Sequence, residues 1–400
     1  MRVLQLCHKP PLPLIDGGCI AIHHFSRGII DCGFQVKILS LCTDKHPFLP
    51  DAMTDAYRAE TQIEAIYVDT RVNMVEAFAS LITQDNYNIS RFFSVDMDIL
   101  LKQTLRKNRY DLVQLESLFM TPYIATIRRY SKAKIVLRSH NLEHNIWDRL
   151  ASQEKNGIKK IYLNYLAKQL KTYEIKSMTD VDGIISISEK DREQYLSLGC
   201  IKPVQAIPTA IDMTEYEAKV GHTSGSIFHL GAMDWAPNIE GIHWFLDLVW
   251  PLVLDVKPGA KLHLAGKNLD FSSAQYKKWG NSVILDGEVP DAIQYMNSKD
   301  IMVIPLLSGG GIRIKMLEGM ALSKCIVTTQ VGAEGIGGKS GVEYFVADGP
   351  EEFAKALLLC LEEPELTRSV GENARRFIAK NFSYPSVNAK IAHFYNRLLS

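Results

Sequence analysis

The feature that most restricts the fold of this chain is a regular alternation of short apolar runs with longer segments of helical spacing. In the segment 21–32 apolar residues recur at helical spacing, and the pattern stops at Gly33, a common helix terminator. The alternation restarts after residue 205. Strands that alternate with helices build a parallel sheet covered on both faces, so the sequence predicts an α/β chain with two Rossmann-like, doubly wound sheets. The predicted strands are 3–7, 35–41, 111–115, 134–138, 183–187, 226–230, 261–264, 282–285, 301–305 and 325–328, and the predicted helices of the second half are 241–254, 291–297, 312–322 and 351–362.

A length of 400 residues suits two domains of about 200 residues each. We predict an N-terminal domain over 1–205 and a C-terminal domain over 206–375, joined by a polar linker within 203–225 that is bounded by prolines and glycines. Two such sheets facing each other bind ligands in the cleft at the carboxyl ends of their strands. Binding residues are therefore expected directly after strands.

Charge and cysteine content exclude several classes of protein. Lys+Arg and Asp+Glu both number 45, so the net charge is zero and a general nucleic-acid binder is disfavoured. The seven cysteines are scattered and form no CxxC pair, which predicts neither a zinc site nor a disulfide framework and suits a reducing cytoplasm. Two Asp-x-Asp patterns, at 96–98 and 180–182, are interpreted as helix capping and a turn, so no metal is predicted. The N-terminal apolar run is short and is interpreted as a buried strand, not a signal peptide.

A glycine-rich loop follows the predicted strand that ends near residue 305. Gly309, Gly310 and Gly311 precede a helix predicted to begin at Ile312. Glycines let backbone N–H groups approach a ligand closely, and a helix N-terminus attracts anions. The loop therefore predicts a phosphate or diphosphate site.

Two cations and one acid lie on the helix after this loop. Arg313 and Lys315 are placed in its first turn, where cations oppose the helix dipole unless an anion is bound. Because the planar guanidinium matches a phosphate better than an ammonium does, Arg313 is predicted to be the main diphosphate contact and Lys315 the lesser one. Glu318 can reach ligand hydroxyls from the same helix.

This segment resembles the Glu-x7-Glu signature of the retaining nucleotide-sugar glycosyltransferases of family 4, which have the GT-B fold. Glu318 stands at the second acid, whose role in the family is to hold the ribose hydroxyls of the nucleotide, whereas Gly310 stands where the first acid would be. In LGAMDWAPNIEG, Gly231 and Asn238 match the family's loop after the first C-terminal strand, but Pro237 replaces its phosphate-binding lysine. The resemblance thus makes the two cations at 313 and 315 the substitutes for that lysine.

The resemblance extends over nearly the whole chain. It implies that Gly17 and Gly18 bring backbone close to the donor phosphate or the acceptor, and that His140 contacts the transferred sugar. It also implies that the segments at Gly266 and Val289 run along the donor, the latter beside the base. The last helix, over about 384–399 within the segment 376–400, is expected to pack back on the N-terminal domain.

The activity implied by the resemblance is transfer of a sugar from a nucleotide diphosphate donor to an acceptor hydroxyl, with retention of configuration and without a metal or another cofactor, in polysaccharide or glycan biosynthesis. A nucleotide-sugar epimerase of the same fold and a non-catalytic nucleotide-sugar-binding protein are the alternatives, the latter because of Gly310. A nicotinamide-dependent oxidoreductase is disfavoured because the first βα turn lacks G-x-G-x-x-G. The donor base, the sugar and the acceptor, glycan or lipid-linked, stay open.

One further segment is unusually basic. Between 155 and 178 the chain has six lysines and a single acid, Glu174, with apolar residues at helical spacing. Such a helix could lie on an anionic membrane surface as a peripheral contact. An ordinary surface helix is the favoured interpretation.

Overall fold

The structure is a computed structural model that describes residues 1–71, 87–218, 225–270, 272 and 274–400. These residues form two units, one of Met1–Ala210 with Val387–Ser400 and the other of Ile211–Ser386. The boundaries predicted after residues 205 and 375 are therefore too early, because Val204–Ala206 is a strand of the first sheet and Pro364–Asn381 is a helix of the second unit. Part of the predicted linker, 219–224 with Gly221, lies outside the described residues.

The first unit contains a parallel seven-stranded sheet in the order β3-β2-β1-β4-β5-β6-β7. Five of these strands match predicted ones. The edge strands β3 and β7 are short and only partly buried, so their apolar pattern is too weak to predict them. The strands are β1 (Arg2–Cys7), β2 (Gln35–Cys42), β3 (Glu64–Tyr67), β4 (Leu112–Glu116), β5 (Lys134–Ser139), β6 (Gly183–Ser186) and β7 (Val204–Ala206).

Helices cover both faces of this sheet. Ser94 caps the helix that holds Asp96 and Asp98 in its first turn, and Asp182 pairs with Arg128 and accepts from the Ile135 amide, as expected for capping and a turn. The helices of the first unit up to Ala210 are α1 (Gly17–Asp31), α2 (Asp55–Thr61), α3 (Tyr87–Ser90), α4 (Val95–Lys107), α5 (Ile124–Tyr130), α6 (Glu143–Gln153), α7 (Gly157–Asp180) and α8 (Glu189–Ser197), with 3₁₀ turns at Pro50–Ala52 and Leu118–Tyr123.

The second unit contains a parallel six-stranded sheet in the order β10-β9-β8-β11-β12-β13. The predicted helix 241–254 is instead interrupted by a π-helical turn at Phe245–Val249, just before Pro251, which has no N–H for the helical ladder. The strands are β8 (Ile227–Leu230), β9 (Leu262–Ala265), β10 (Val283–Gly287), β11 (Ile301–Ile304), β12 (Cys325–Thr328) and β13 (Phe345–Val346). The helices are α9 (Ala236–Trp244), α10 (Trp250–Val256), α11 (Ala274–Lys277), α12 (Ala292–Asn297), α13 (Ile314–Ala321), α14 (Pro350–Glu362) and α15 (Pro364–Asn381), with a 3₁₀ turn at Gly280–Ser282.

The C-terminal helix, α16 (Tyr384–Leu399), packs on the first unit through a buried apolar face. A Cβ added to Gly28 of α1 would lie 3.0 Å from the Ile391 side chain, and one on Gly183 of β6 would lie 3.0 Å from the Phe394 ring. Both glycines therefore let the helix approach closely. Fully burying a side chain such as that of Ile391 or Phe394 contributes about 1.5–3 kcal/mol each.

None of the described helices is both long enough and apolar enough to cross a lipid bilayer.

Candidate active site

Both sheets have the strand order that creates a switch point, where neighbouring strands are followed by connections that leave in opposite directions. In the second unit the switch point lies between β8 and β11. Ligands of such sheets bind at the carboxyl ends of these strands. The loop after β8 carries Gly231, and the loop after β11 carries the three glycines, so the structure puts these predicted residues at one edge of the sheet.

Two glycines of the loop after β11 have backbone conformations that favour glycine. Gly309 has φ 105° and Gly311 has φ 77°. Helix α13 then begins at Ile314, with Arg313 as its N-cap residue. The predicted helix start at Ile312 is therefore too early, because the left-handed Gly311 delays it.

Lys315 points to the loop after β8. Its Nζ donates to Asn238 Oδ1 at 2.7 Å, and Asn238 Nδ2 donates to the Ala232 carbonyl at 2.8 Å. A Cβ on Gly231 would lie 2.9 Å from this Nζ and 2.7 Å from Asn238 Nδ2. Only a glycine at position 231 therefore leaves room for the side chains of Lys315 and Asn238. The structure thus brings together three predicted residues, Gly231 from the loop after β8, Asn238 from α9 and Lys315 from α13.

His229 completes this group, which we call the Lys315 cluster (His229, Gly231, Asn238 and Lys315). Its Nδ1 lies 2.9 Å from the Val303 carbonyl, which can only accept, so Nδ1 carries the proton. Nε2 is buried, 3.0 Å from where a Gly231 Cβ would be, and it has no hydrogen-bond partner among the residues that the structure describes. Burial and the nearby Lys315 hold the pKa of His229 well below its usual range, so this nitrogen is a hydrogen-bond acceptor.

Lys315 has no acidic partner among the described residues, so no neighbouring carboxylate compensates its charge. Burial, with a smaller contribution from Arg313, lowers the pKa of Lys315 to about 7. An anion beside the ammonium would raise this pKa again. The residue is therefore suited to receive an anion.

Arg313 contacts the glycine loop and the neighbouring ring of Trp235. Its guanidinium donates to the Gly310 carbonyl and lies 5.7 Å from the centroid of the Trp235 ring. The side chain is 6% exposed, and a Cβ on Gly309 would come within 3.1 Å of it. Arg313 thus braces the glycine loop, and its role as the main diphosphate contact stays a prediction.

Glu318 lies one turn further along α13. Tyr216 OH donates to its Oε1 at 3.0 Å, and Oε2 makes no hydrogen bond to another described residue. Burial raises the pKa of Glu318, and the Tyr216 hydrogen bond opposes that rise. Its hydrogen-bond partner is thus a tyrosine, whereas Lys315 donates to Asn238.

The remaining predicted donor residues are Gly266, Val289 and Ile312. Gly266 follows β9 with φ 145°, and a Cβ there would lie 1.8 Å from the Gly231 carbonyl oxygen, so the two loops touch only because residue 266 is a glycine. Val289 is half-buried after β10, and Ile312 packs against the core of this unit. These positions stay predictions as donor contacts.

The first unit has a polar group of its own at its switch point, between β1 and β4. Glu116, the last residue of β4, is fully buried and lies 2.9 Å from Arg138 NH1 and 2.8 Å from His140 Nε2. Gln5 and Gln114 donate to its other oxygen. We call these residues, Gln5, Gln114, Glu116, Arg138 and His140, the Glu116 cluster.

Ionisation within the Glu116 cluster follows from these contacts. Burial opposes the charge on Glu116, but Arg138 and His140 outweigh it and hold the pKa of the carboxyl at about 2. The carboxylate can only accept, so His140 Nε2 carries a proton. Burial lowers the pKa of His140 despite Glu116, which leaves Nδ1 as a hydrogen-bond acceptor.

His8 forms a second neutral imidazole beside His140, with ring centroids 5.7 Å apart. Its Nδ1 lies 2.9 Å from the Glu116 carbonyl, and burial lowers its pKa to about 3. Its Nε2 is therefore an acceptor as well. Two imidazole acceptors in one place can bind sugar hydroxyls.

The predicted glycine pair at the start of α1 is partly explained by packing. A Cβ on Gly18 would lie 2.4 Å from Lys9 Nζ, which is 2.8 Å from both carboxylate oxygens of Asp16, the N-cap residue of α1. Asp16, Cys19 and His46 place three potential metal ligands within 4.8 Å of one another, but the Lys9 ammonium already provides a cation there.

Several of these residues were not predicted from the sequence: His8, Glu116, Arg138, Tyr216, His229 and Trp235. A signal exists for four of them. His8 and Glu116 directly follow predicted strands, where binding residues are expected. Arg138 and His229 lie within predicted strands, and polar residues at the centre of a parallel sheet are buried and must be paired. Tyr216 and Trp235 lie in loops, whose course the sequence pattern does not describe.

The chain matches known proteins over most of its length. The profile described as Glycosyltransferase Family 4 matches residues 15–215, and the one described as Glycosyl transferases group 1 matches residues 224–363. A Klebsiella pneumoniae protein, described as an uncharacterized 44.6 kDa protein in the cps region, is 28% identical over 302 residues, which cover 73% of this chain and 76% of that protein.

Solved structures show the same fold. Sucrose-phosphate synthase from Thermosynechococcus elongatus aligns with a TM-score of 0.73 and 15% identity, over 100% of this chain and 99% of its own. Anabaena HepE in complex with UDP aligns with a TM-score of 0.68 and 15% identity, over 99% and 100%. The two parallel-sheet units are thus those of the GT-B fold, as expected. With both halves matched by profiles of one kind of enzyme, the chain belongs to glycosyltransferase family 4 (glycosyl transferases group 1) and is a glycosyltransferase.

Proposed function

We propose that the enzyme transfers a sugar from a nucleotide diphosphate sugar to an acceptor hydroxyl with retention of anomeric configuration. The observation that carries this proposal is the Lys315 cluster, in which an ammonium with an uncharged partner lies at the switch point beside the glycine loop and the start of α13. HepE was solved with UDP and with UDP-glucose, which supports a donor of this class. Glu318 would hold the ribose hydroxyls from the next turn.

The chemistry follows from the leaving group. The bond between the anomeric carbon and the diphosphate oxygen breaks, the acceptor oxygen bonds to that carbon from the same face, and the acceptor proton passes to the leaving diphosphate. The Lys315 ammonium, the loop amides and the N-terminus of α13 stabilise the negative charge that develops on the diphosphate. No metal or other cofactor enters this proposal, because the Lys315 cluster supplies positive charge itself.

His140 would orient the transferred sugar. Its Nδ1 accepts a hydroxyl hydrogen bond, while Nε2 stays bonded to Glu116. The same arrangement at His8 offers a second acceptor. Both imidazoles are neutral at pH 7, which suits hydroxyl recognition better than proton transfer.

The biological setting is the biosynthesis of a polysaccharide or another glycan. The relative from Klebsiella pneumoniae is a protein of the cps region, which supports this setting for the present chain. All seven cysteines are free thiols, which suits the cytoplasm as the place of the reaction.

The direct test incubates the enzyme with a panel of nucleotide diphosphate sugars and follows release of the nucleoside diphosphate, with and without glycan acceptors. Proton NMR of the first product formed reads its anomeric configuration. Release from at least one donor with a retained anomer supports the proposal. An inverted anomer contradicts retention, and tight donor binding without any release points instead to a non-catalytic binding protein.

A further inference from the structure

The helix α7 exposes an apolar stripe on its outer face. Ile158, Ile161, Tyr162 and Tyr165 follow the spacing i, i+3, i+4, i+7 of one helix face. Ile158 is 84% exposed and Ile161 is 72% exposed, and each of the two tyrosines is 40% exposed. Isolated exposed apolar residues are common, but four on one face form a contiguous patch.

This stripe is distinct from the face that packs on the sheet. Ala167 and Leu170 are buried, and Leu170 belongs to the core of the first unit. Leu163 and Leu166, at the same helical spacing, are half-buried on that inner side. The helix is thus apolar on two faces, of which packing explains one.

Lys159 and Lys168 flank the outer stripe on α7, and this part of the chain has more exposed lysines than exposed acids. Five exposed lysines lie in this part of the chain, at 155, 159, 160, 168 and 171. Glu154 pairs with Lys159 at 2.7 Å. The only acid inside the segment, Glu174, is buried and bonded to His144 and to the amides of Glu143 and His144, so it does not offset the lysines at the surface.

We propose that the outer face of α7 docks on an anionic lipid bilayer. Isoleucines enter the boundary between headgroups and acyl chains, tyrosines suit the interface, and lysines attract anionic headgroups. The net charge of the chain is zero, so this attraction is local to the helix. A single-stranded nucleic acid would use the lysines and tyrosines but gives the two isoleucines nothing to bind. This inference does not depend on the proposed reaction, and it would place the enzyme beside acceptors anchored in a membrane.

The test is co-sedimentation of the full chain with vesicles of phosphatidylcholine, with and without phosphatidylglycerol. We expect binding to the anionic vesicles, weak binding to the neutral ones, and a loss in 0.5 M NaCl, since salt screens exposed charges. The double variant Ile158→Ser, Ile161→Ser should lower the partition coefficient by roughly tenfold or more. Because both side chains are exposed, the variant should melt at the wild-type temperature.

Ile201→Ser is the matched control, since Ile201 is 90% exposed in the same unit but lies outside α7. It should bind like the wild type. Absence of binding to anionic vesicles, equal binding to both kinds of vesicle, or equal losses in the control and the double variant would each overturn the proposal. Salt-sensitive binding that the double variant retains would also overturn it, because that result indicates a purely polyanionic partner.

Discussion

The Nζ of Lys315 lies 2.7 Å from the amide oxygen of Asn238, so the partner of this lysine is neutral. An amide fixes the position of the ammonium without cancelling its charge. In the part of the chain that the structure describes, no carboxylate forms an ion pair with Lys315. The positive charge therefore stays available to a ligand.

Replacing Lys315 should weaken diphosphate binding selectively. The loss of a charge-assisted contact of about 1.5–3 kcal/mol predicts a roughly 10- to 100-fold weaker nucleoside diphosphate for Lys315→Ala, with the nucleoside nearly unaffected. Isothermal titration of both ligands measures this ratio. Lys324→Ala is the control, because Lys324 is also a buried lysine but lies at the amino end of β12. Equal losses for nucleoside and diphosphate would show that Lys315 does not touch the phosphates.

Arg313→Ala should behave differently. Its guanidinium holds the Gly310 carbonyl and the Trp235 ring, so its removal loosens the whole glycine loop. We expect nucleoside and diphosphate affinities to fall together in titration. A loss confined to the diphosphate would restore Arg313 as its main contact.

Diphosphate affinity should decrease as the pH rises above about 7. Burial holds the pKa of Lys315 at about 7, and only the protonated amine attracts phosphate. In Lys315→Arg the guanidinium stays charged, so the affinity should lose this dependence between pH 6 and 9. The stability of the free protein should depend on pH in the opposite direction. The pKa of Lys315 is 10.5 in the unfolded chain and about 7 in the folded one, so the contribution of this residue to the free energy of unfolding falls as the pH decreases from 10.5 to 7. Parallel pH profiles for wild type and variant would contradict this assignment.

Glu318→Gln should weaken the nucleoside and the nucleoside diphosphate alike, by roughly tenfold for one hydrogen bond to a charged group. Glutamine can still accept the hydrogen bond from Tyr216, so the fold around α13 is kept. Tyr216→Phe removes that bond but leaves the carboxylate, and we expect a smaller loss. Unchanged ligand affinity combined with lost turnover would mean that Glu318 acts only in the chemical step.

The Glu116 cluster should contribute strongly to stability. Glu116→Gln leaves Arg138 buried without its counter-charge, which predicts a loss of about 3–5 kcal/mol in the free energy of unfolding. The double variant Glu116→Gln, Arg138→Met should recover part of the lost free energy of unfolding, as a double-mutant cycle in denaturant would show. The pKa of Glu116 is about 2 when folded against 4.5 in the unfolded chain, so this contribution is complete above pH 4.5 and is lost as the pH falls toward 2. Additive losses in the cycle would contradict the pairing.

Periodic patterns predict the centre of both sheets, and local chemistry predicts the glycine loop. The patterns miss the strands β3, β7 and β13. These are short edge strands with few buried residues, so they carry little of the apolar pattern that predicts a strand. The helix predicted over 241–254 is wrong in its middle, because a π turn relieves the constraint that Pro251 imposes. Apolar periodicity does not describe such a turn.

The contacts between the site residues could not be predicted from the sequence, because they depend on the direction of each side chain. The types of Arg313 and Lys315 predict an anion site, but the ranking between them depends on which way each side chain leaves α13. Only the fold shows Lys315 directed to Asn238 and Arg313 directed to Trp235. Likewise, the hydrogen-bond partner of Glu318 is Tyr216, which lies more than a hundred residues away in the chain.

The most direct test of the central claim is thermal unfolding of the wild type and Lys315→Ala with nucleoside diphosphates, their sugar conjugates and the corresponding nucleosides. A ligand at 100 times its dissociation constant adds about 2.7 kcal/mol to the free energy of unfolding. We predict that at least one diphosphate and its sugar conjugate raise the melting temperature of the wild type well above the rise given by the nucleoside, and that Lys315→Ala abolishes this difference. No rise with any diphosphate, or the same rise in both proteins, would contradict a diphosphate donor site at Lys315.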